Sequence, residues 1–252
     1  MGPTRHPAIF VVATLMVSAT GATDTDFAGE RRQMVAEVAA MARATAAETG
    51  RQRFSDAVLQ AMESVPRHRF VPEAAIGSAY RNRPLSIGSD QTISQPYIVA
   101  LSAELIDPKP GDVVLEVGTG SGYQAAVLAK LVDRVYSIEI IEPLGRQAAD
   151  RLKALGYRNV EVRLGDGYQG WAEKAPFDAI VVTAAAPHVP EPLLAQLKPG
   201  GRMVIPVGRR DEGQDMLLVV KGNDGRLQTR TVIPVRFVPL TGEGASGRSP
   251  AR

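Results

Sequence analysis

Cysteine is absent from this chain. That excludes disulfides, thiolate metal sites and cysteine nucleophiles, although it identifies no compartment. Histidine is scarce: His6, His68 and His188 lie far apart and offer no metal-ligand spacing, so no metal is expected. An excess of one charge is missing too. With 29 basic and 27 acidic residues the formal net charge is +2, and Arg31-Arg32 and Arg209-Arg210 are the only adjacent basic pairs. No polyanion footprint results, so nucleic acid is not expected as a partner. No apolar run is long enough for a stable membrane span. The run Ala8 to Val17 follows Arg5-His6 and precedes the small residues Ser18 to Ala22, so residues 1–22 resemble a secretory signal. A plain apolar leader or a misassigned start remains the alternative.

What is present is an alternation. At 252 residues, 44% apolar and 22% charged, the chain suits one large α/β domain. Residues 23–29, small and polar, read as a linker after the leader. Glu30 to Glu48 is rich in helix formers, and Gly50 offers a stop. A second helix starts after Ser55, a good N-cap, and ends before Pro66. Arg67 to Pro96 is aperiodic and rich in Pro, Gly and Ser, yet Phe70, Val71, Tyr80, Leu85 and Ile87 make it an ordered loop. A helix follows over Ile98–Ile106. Strands are expected at Val113–Val117, Val135–Ile138, Val160–Leu164, Ala179–Val182 and Met203–Val207, with helices between them at Tyr123–Leu131, Pro143–Leu155 and Glu191–Leu197. Such Val/Ile runs separated by helices predict a doubly wound, mostly parallel sheet behind an N-terminal helical segment. Met216–Lys221 and Gln228–Phe237 flank Gly222-Asn223-Asp224-Gly225 and read as a hairpin. One domain is therefore expected over 30–240, with helices and a loop in 30–107 and the core in 108–240. The tail 241–252 is expected to be disordered.

Between the first of those strands and its helix lies Glu116-Val117-Gly118-Thr119-Gly120-Ser121-Gly122. Glycines let a backbone approach a ligand closely. A dinucleotide fingerprint would read G-x-G-x-x-G; here the spacing is E-x-G-x-G-x-G. A carboxylate at Glu116 repels a pyrophosphate and attracts an ammonium group, which points to S-adenosylmethionine. A nicotinamide-linked oxidoreductase is the alternative, and no clear catalytic His or Tyr-x-x-x-Lys pair supports it. Ligands of such sheets sit at the carboxyl ends of the strands. Gly118, Thr119, Gly120 and Gly122 are expected at the first turn, with Glu116 beside them. Glu139 ends the second strand, placed for ribose hydroxyls. Asp166-Gly167 follows the third, either for the adenine amino group or as a simple turn pair. Thr183, followed by Ala184 and Ala185, leaves room for a methionine portion.

A second informative stretch runs from Gly88 to Tyr97. It carries hydroxyls and amides but no base, and suits an anion held by hydrogen bonds. Pro96 keeps Ser94-Gln95 extended ahead of a helix, which Ser94 alternatively caps. The string Gln91-Thr92-Ile93-Ser94-Gln95-Pro96, the turn Glu116–Gly122 with Tyr123-Gln124, Gly165-Asp166-Gly167, Ala175 to Ile180, Val235 to Leu240 and Val65 to Pro72 closely resemble the protein-L-isoaspartate O-methyltransferases, or protein-β-aspartate methyltransferases. The resemblance spans roughly residues 55–240 and does not extend to the first 30. It implies a Rossmann-like methyltransferase fold. It also implies methyl transfer from S-adenosylmethionine to the free α-carboxylate of L-isoaspartyl residues in damaged proteins and peptides, with repair through a succinimide. Ser94 becomes the active-site residue, with Thr92, Gln95 and the backbone near Val238 on the substrate side. A carboxylate acceptor is ionised at pH 7 and needs no general base. A cytoplasmic monomer is implied, where the cofactor is made; export to the periplasm through residues 1–22 is the alternative.

Overall fold

The computed structural model describes Gly2 and residues 27–246. Apart from Gly2, the signal-like residues 1–22 and most of the expected linker therefore lie outside the described residues, as does the end of the tail. Helix α1 (Ala28–Ala44) and the short α2 (Ala46–Thr49) replace the single helix expected from Glu30, with a break at Thr45. The linker stops short of residue 29, because the Phe27 ring stacks on His68 at 4.5 Å and packs near Tyr80. Helix α3 (Asp56–Ser64) is capped by Ser55, whose side chain accepts from the Val58 amide. The expected loop then holds two 3-10 turns, Arg67–Phe70 and Glu73–Ser78. It ends in a two-stranded antiparallel hairpin, β1 (Leu85–Gly88) and β2 (Gln91–Ile93). Helix α4 (Pro96–Leu105) starts at the proline, which suits a first helical position.

The core alternates as expected: β3 (Val113–Val117), α5 (Tyr123–Leu128), β4 (Arg134–Glu139), α6 (Glu142–Ala154), β5 (Val160–Leu164), β6 (Phe177–Val182), α7 (Glu191–Gln196), β7 (Leu197–Arg209), β8 (Gly213–Lys221) and β9 (Leu227–Val235). They form a seven-stranded sheet in the order β5-β4-β3-β6-β7-β8-β9. The first five strands of that order are parallel, and β8 and β9 add antiparallel. Alternate residues serve opposite faces, as strand geometry requires. Val114, Val135, Ala179, Val181 and Val204 join a core roofed by residues of α1, α3, α4 and α5. Leu115, Val117, Ile180, Val182 and Met203 join a second core with Trp171, Phe177 and Leu193. The strand order reverses between β3 and β6, so the crevice for a ligand opens beyond the carboxyl ends of those two strands.

The tail departs from expectation. Residues Glu243–Ser246 form a 3-10 turn, and the Glu243 amide donates to Asp166 Oδ2 at 2.8 Å. A backbone donor met by a carboxylate gives this part of the tail a fixed place that its composition does not reveal.

Candidate functional site

The turn after β3 is built by its neighbours. Gly118 and Thr119 donate their amides to the Ile138 carbonyl at 2.8 and 3.1 Å, and Gly120 donates to Glu139 Oε2 at 2.7 Å. The other oxygen of Glu139 accepts from the Ile141 amide at 2.9 Å. One carboxylate thus ties the glycine turn to the loop after β4. Gly118, Gly120 and Gly122 have φ of +98°, +54° and +87°. At Gly118 the need is steric as well: a Cβ there would run into Thr183 Oγ1, which donates to the Gly118 carbonyl at 2.5 Å.

A cleft of about 520 Å³ lies over this turn. Gly118, Gly120, Glu139, Gly167 and Thr183 all line it, as expected of them, together with Gln91, Thr92 and Val238 to Thr241. Among the described residues Glu139 is the only charged one on its wall. A pyrophosphate would meet one carboxylate and no cation there, whereas a ribose would find an acceptor. The donor set and the cradle at Gly118 fit S-adenosylmethionine and disfavour a dinucleotide.

Four expected cofactor residues do not line this cleft. Glu116 is wholly buried beneath the turn and accepts a very short hydrogen bond from Ser137 Oγ, so it does not meet an ammonium group in the cleft. Burial drives its pKa up to about 8, with repulsion from Glu139 adding to the shift and the Ser137 hydroxyl and Ala125 amide opposing it. Thr119 also turns inward, its hydroxyl 2.5 Å from that of Ser137. Gly122 serves packing: a Cβ there would press on Leu152 of α6. Asp166 lines an adjoining cavity with Ile140, Gln169, Gly242 and Glu243. Its Oδ1 accepts from the Tyr168 amide at 2.9 Å, so the turn-forming alternative describes it as well. Tyr168 in turn donates its hydroxyl to the Leu240 carbonyl at 3.2 Å, holding the cleft's far wall.

Beside the cleft runs a groove of about 900 Å³ lined by Pro84, Ser94, Gln95, Ile98, Pro234 to Val238, Thr92 and Thr183. Ser94 does not cap α4: Gln95 occupies the cap position, and Asn82 Oδ1 accepts from the Tyr97 amide at 3.0 Å. Among the described residues the Ser94 hydroxyl has no hydrogen-bond partner, which leaves it available to a ligand. Gln95 Nε2 is spent on the Asn82 carbonyl at 3.1 Å, so Gln95 serves the groove as wall. Val238 accepts from the Ala185 amide at 2.8 Å and stands between groove and cleft. A smaller cavity joins Ser94 to the glycine turn, and Gln124 lines it with a buried Nε2 that has no hydrogen-bond partner among the described residues. Gln124 and Arg67, which donates to the Ser94 carbonyl at 2.8 Å, are site residues that the sequence marks only as parts of longer matching strings. Thr92 and Thr183 line all three spaces, and among the described residues no Asp, Glu, Lys or His lines the groove or the small cavity.

Comparison with known proteins agrees with this geometry. The family model for protein-L-isoaspartate(D-aspartate) O-methyltransferase matches residues 44–245. Protein-L-isoaspartate O-methyltransferase 1 of Cupriavidus necator is 59% identical over 235 residues, covering 93% of this chain and 91% of its own. A match of that coverage takes in part of the first 30 residues. Protein-L-isoaspartate O-methyltransferase 2 of Polaromonas is 60% identical over 83% of this chain and all of its own. A solved protein-L-isoaspartate O-methyltransferase superposes with a TM-score of 0.74 at 29% identity, over 84% of this chain and 66% of that longer one. A Plasmodium falciparum protein assigned as a β-aspartate methyltransferase, in complex with S-adenosyl-L-homocysteine, gives 0.68 at 25% identity over 84% of this chain and 98% of its own.

Proposed function

The chain belongs to the protein-L-isoaspartate(D-aspartate) O-methyltransferase family, and we propose that it transfers a methyl group from S-adenosylmethionine to the free α-carboxylate of L-isoaspartyl residues in damaged proteins and peptides. The observation that carries the reading is the junction of cleft and groove at Thr92 and Thr183, where hydroxyls converge and, among the described residues, no Asp, Glu, Lys or His lines the groove. An α-carboxylate has an ordinary pKa near 4 and is already ionised at neutral pH, so nothing at the junction has to remove a proton. When bound, S-adenosylmethionine supplies a sulfonium methyl whose carbon bonds to a carboxylate oxygen as its bond to sulfur breaks, and the opposite charges cancel in the ester and S-adenosylhomocysteine.

The chain's own work is to hold and orient. Ser94 and Thr92 donate hydrogen bonds to the acceptor carboxylate and turn one oxygen toward the cleft. The Val238 backbone holds the peptide at the groove's end. Glu139 receives ribose hydroxyls, Gly118, Gly120 and Thr183 form the floor, and Gly167 with Asp166 bounds the adenine end. Glu116, Thr119 and Gly122 support the turn from beneath. Such positioning is worth about 7–11 kcal/mol when the reacting atoms are well aligned. The ester closes without the enzyme to a succinimide, and hydrolysis returns part of it as normal aspartate, which makes the activity one of repair.

Among the described residues no helix is long and apolar enough to cross a membrane. Residues 30–240 act as one methyltransferase unit and a monomer, with no nucleic-acid partner, in the cytoplasm that makes the cofactor. Export through residues 1–22 is the alternative, and N-terminal sequencing of the protein from fractionated cells distinguishes the two. The activity is tested with labelled methyl donor and two synthetic peptides, one with isoaspartate and one with aspartate at the same position. Base-labile label on the isoaspartyl peptide alone is expected. Label on neither peptide, with S-adenosylhomocysteine still bound, assigns the site another acceptor.

A further inference from the structure

Arg67 opens the 3-10 turn Arg67–Phe70 and is wholly buried. Its Nε donates to the Ala79 carbonyl at 2.8 Å, and its Nη2 donates to the Ser94 carbonyl at 2.8 Å. The guanidinium carbon sits 4.6 Å from the centroid of the Tyr123 ring, in the first turn of α5 after the glycines. Arg67 therefore spans the two halves of the site, the Ser94 loop and the helix leaving the cofactor turn.

The charge itself needs explaining. A buried guanidinium is costly unless a carboxylate meets it, and residual desolvation of several kcal/mol is the usual order. Among the described residues Arg67 forms no ion pair; the Tyr123 side chain is its hydrogen-bonding neighbour, and its buried Nη1 has no hydrogen-bond partner. Two carbonyls and an aromatic face stabilise it only in part. Burial lowers its pKa to about 10, which still leaves it cationic at neutral pH. Folding alone would be served as well by an apolar side chain of similar volume. The neighbouring groove offers a reason to keep the cation, because the acceptor read there is an anion. Arg236, the cation among the described residues that line that groove, is solvent-exposed, where screening weakens its field.

We infer that Arg67 is a positioning residue for the acceptor: it fixes the Ser94 peptide through its carbonyl and supplies the uncompensated positive charge that makes the Ser94 site prefer a carboxylate over a neutral carboxamide. The inference rests on the groove's being the isoaspartyl site.

The test measures dissociation constants, with S-adenosylhomocysteine present, for an isoaspartyl peptide and for the same peptide with its α-carboxylate converted to the carboxamide. The wild-type protein is expected to bind the carboxylate about tenfold more tightly, the scale of one charge-assisted contact. In Arg67→Met the ratio falls toward one while S-adenosylhomocysteine binding changes less than about twofold; in Arg67→Lys, which keeps the charge, the ratio stays near wild type. A merely structural role would weaken both peptides alike and leave the ratio unmoved. Retention of the wild-type ratio by Arg67→Met, its loss in Arg67→Lys, or a wild-type ratio near one overturns the inference. Should Arg67→Met fail to bind S-adenosylhomocysteine, and so fail to fold, Arg67→Lys decides by the same criterion. Failure of the wild-type protein to bind either peptide counts instead against the isoaspartyl reading of the groove.

Discussion

At the scale of single residues, Ser94 is distinguished by what its hydroxyl does not do. Ser94 lies between β2 and α4, its hydroxyl without a partner among the described residues, and it lines the groove and the small cavity but not the cofactor cleft. Ser94→Ala is therefore expected to lower kcat/KM on an isoaspartyl peptide by about 10- to 100-fold, the loss of one hydrogen bond to a charged group at roughly 1.5–3 kcal/mol. Calorimetry should find S-adenosylhomocysteine affinity unchanged. Full activity of the variant removes Ser94 from the mechanism. Ser94, Thr92, the floor glycines, Glu139 and Thr183 were legible because each stands at a strand end or in a string with little other use. The place of Glu116 was not. Spacing along a motif gives distance along the chain, while the face a residue takes follows strand alternation, which sends Glu116 with Val114 toward α5 and Val117 to the other side. Arg67 was equally hidden, since nothing local in sequence says that a cation will be buried without an acid.

Among elements, the parallel sheet was readable from its Val/Ile runs, which the two-sided burial of such strands requires. β7 proved longer than its apolar segment, because Lys198-Pro199-Gly200-Gly201 hides its first half; the register against β6 shifts there, between Phe177 and Ala179. The β1–β2 hairpin was not readable at all. Its strands have four and three residues, too few for a period to emerge. Its turn places Ser89 and Asp90 at φ of +52° and +56°, the doubly left-handed form that Asn-Gly normally signals. This turn sets where Thr92 and Ser94 stand, so its strain bears on the site. Asp90→Gly removes a left-handed strain of about 1 kcal/mol, part of which is offset by backbone entropy in the unfolded chain. A rise in Tm of about 1–2 °C is expected. Asp90→Val, which a β-branched side chain makes incompatible with positive φ, should lower Tm. Calorimetric scans in which both variants shift the same way contradict this account of the turn.

For the molecule as a whole, the buried Glu116 links stability to pH. Its folded pKa, about 8, lies above its ordinary value of 4.5, so the folded state holds a proton that the unfolded chain has released. Stability from this group is fully present below the ordinary value and falls as pH rises through 8, the reverse of a salt-bridged carboxylate. Denaturant unfolding should show the wild-type protein losing stability between about pH 5 and pH 8 relative to Glu116→Gln, which has no such proton to lose. Parallel curves for the two proteins would mean that Glu116 is charged in the fold. A different consequence follows from Thr92 and Thr183, which belong at once to the cleft, the groove and the cavity between them. Two ligands leaning on the same side chains cannot have independent affinities. Whatever factor the peptide imposes on retention of the spent methyl donor, the spent donor must impose on the peptide, because the thermodynamic cycle closes. The coupling is then written into two threonines, and a peptide analogue that tightens the equilibrium binding of the spent donor by some factor is itself bound more tightly by that same factor when the donor is present.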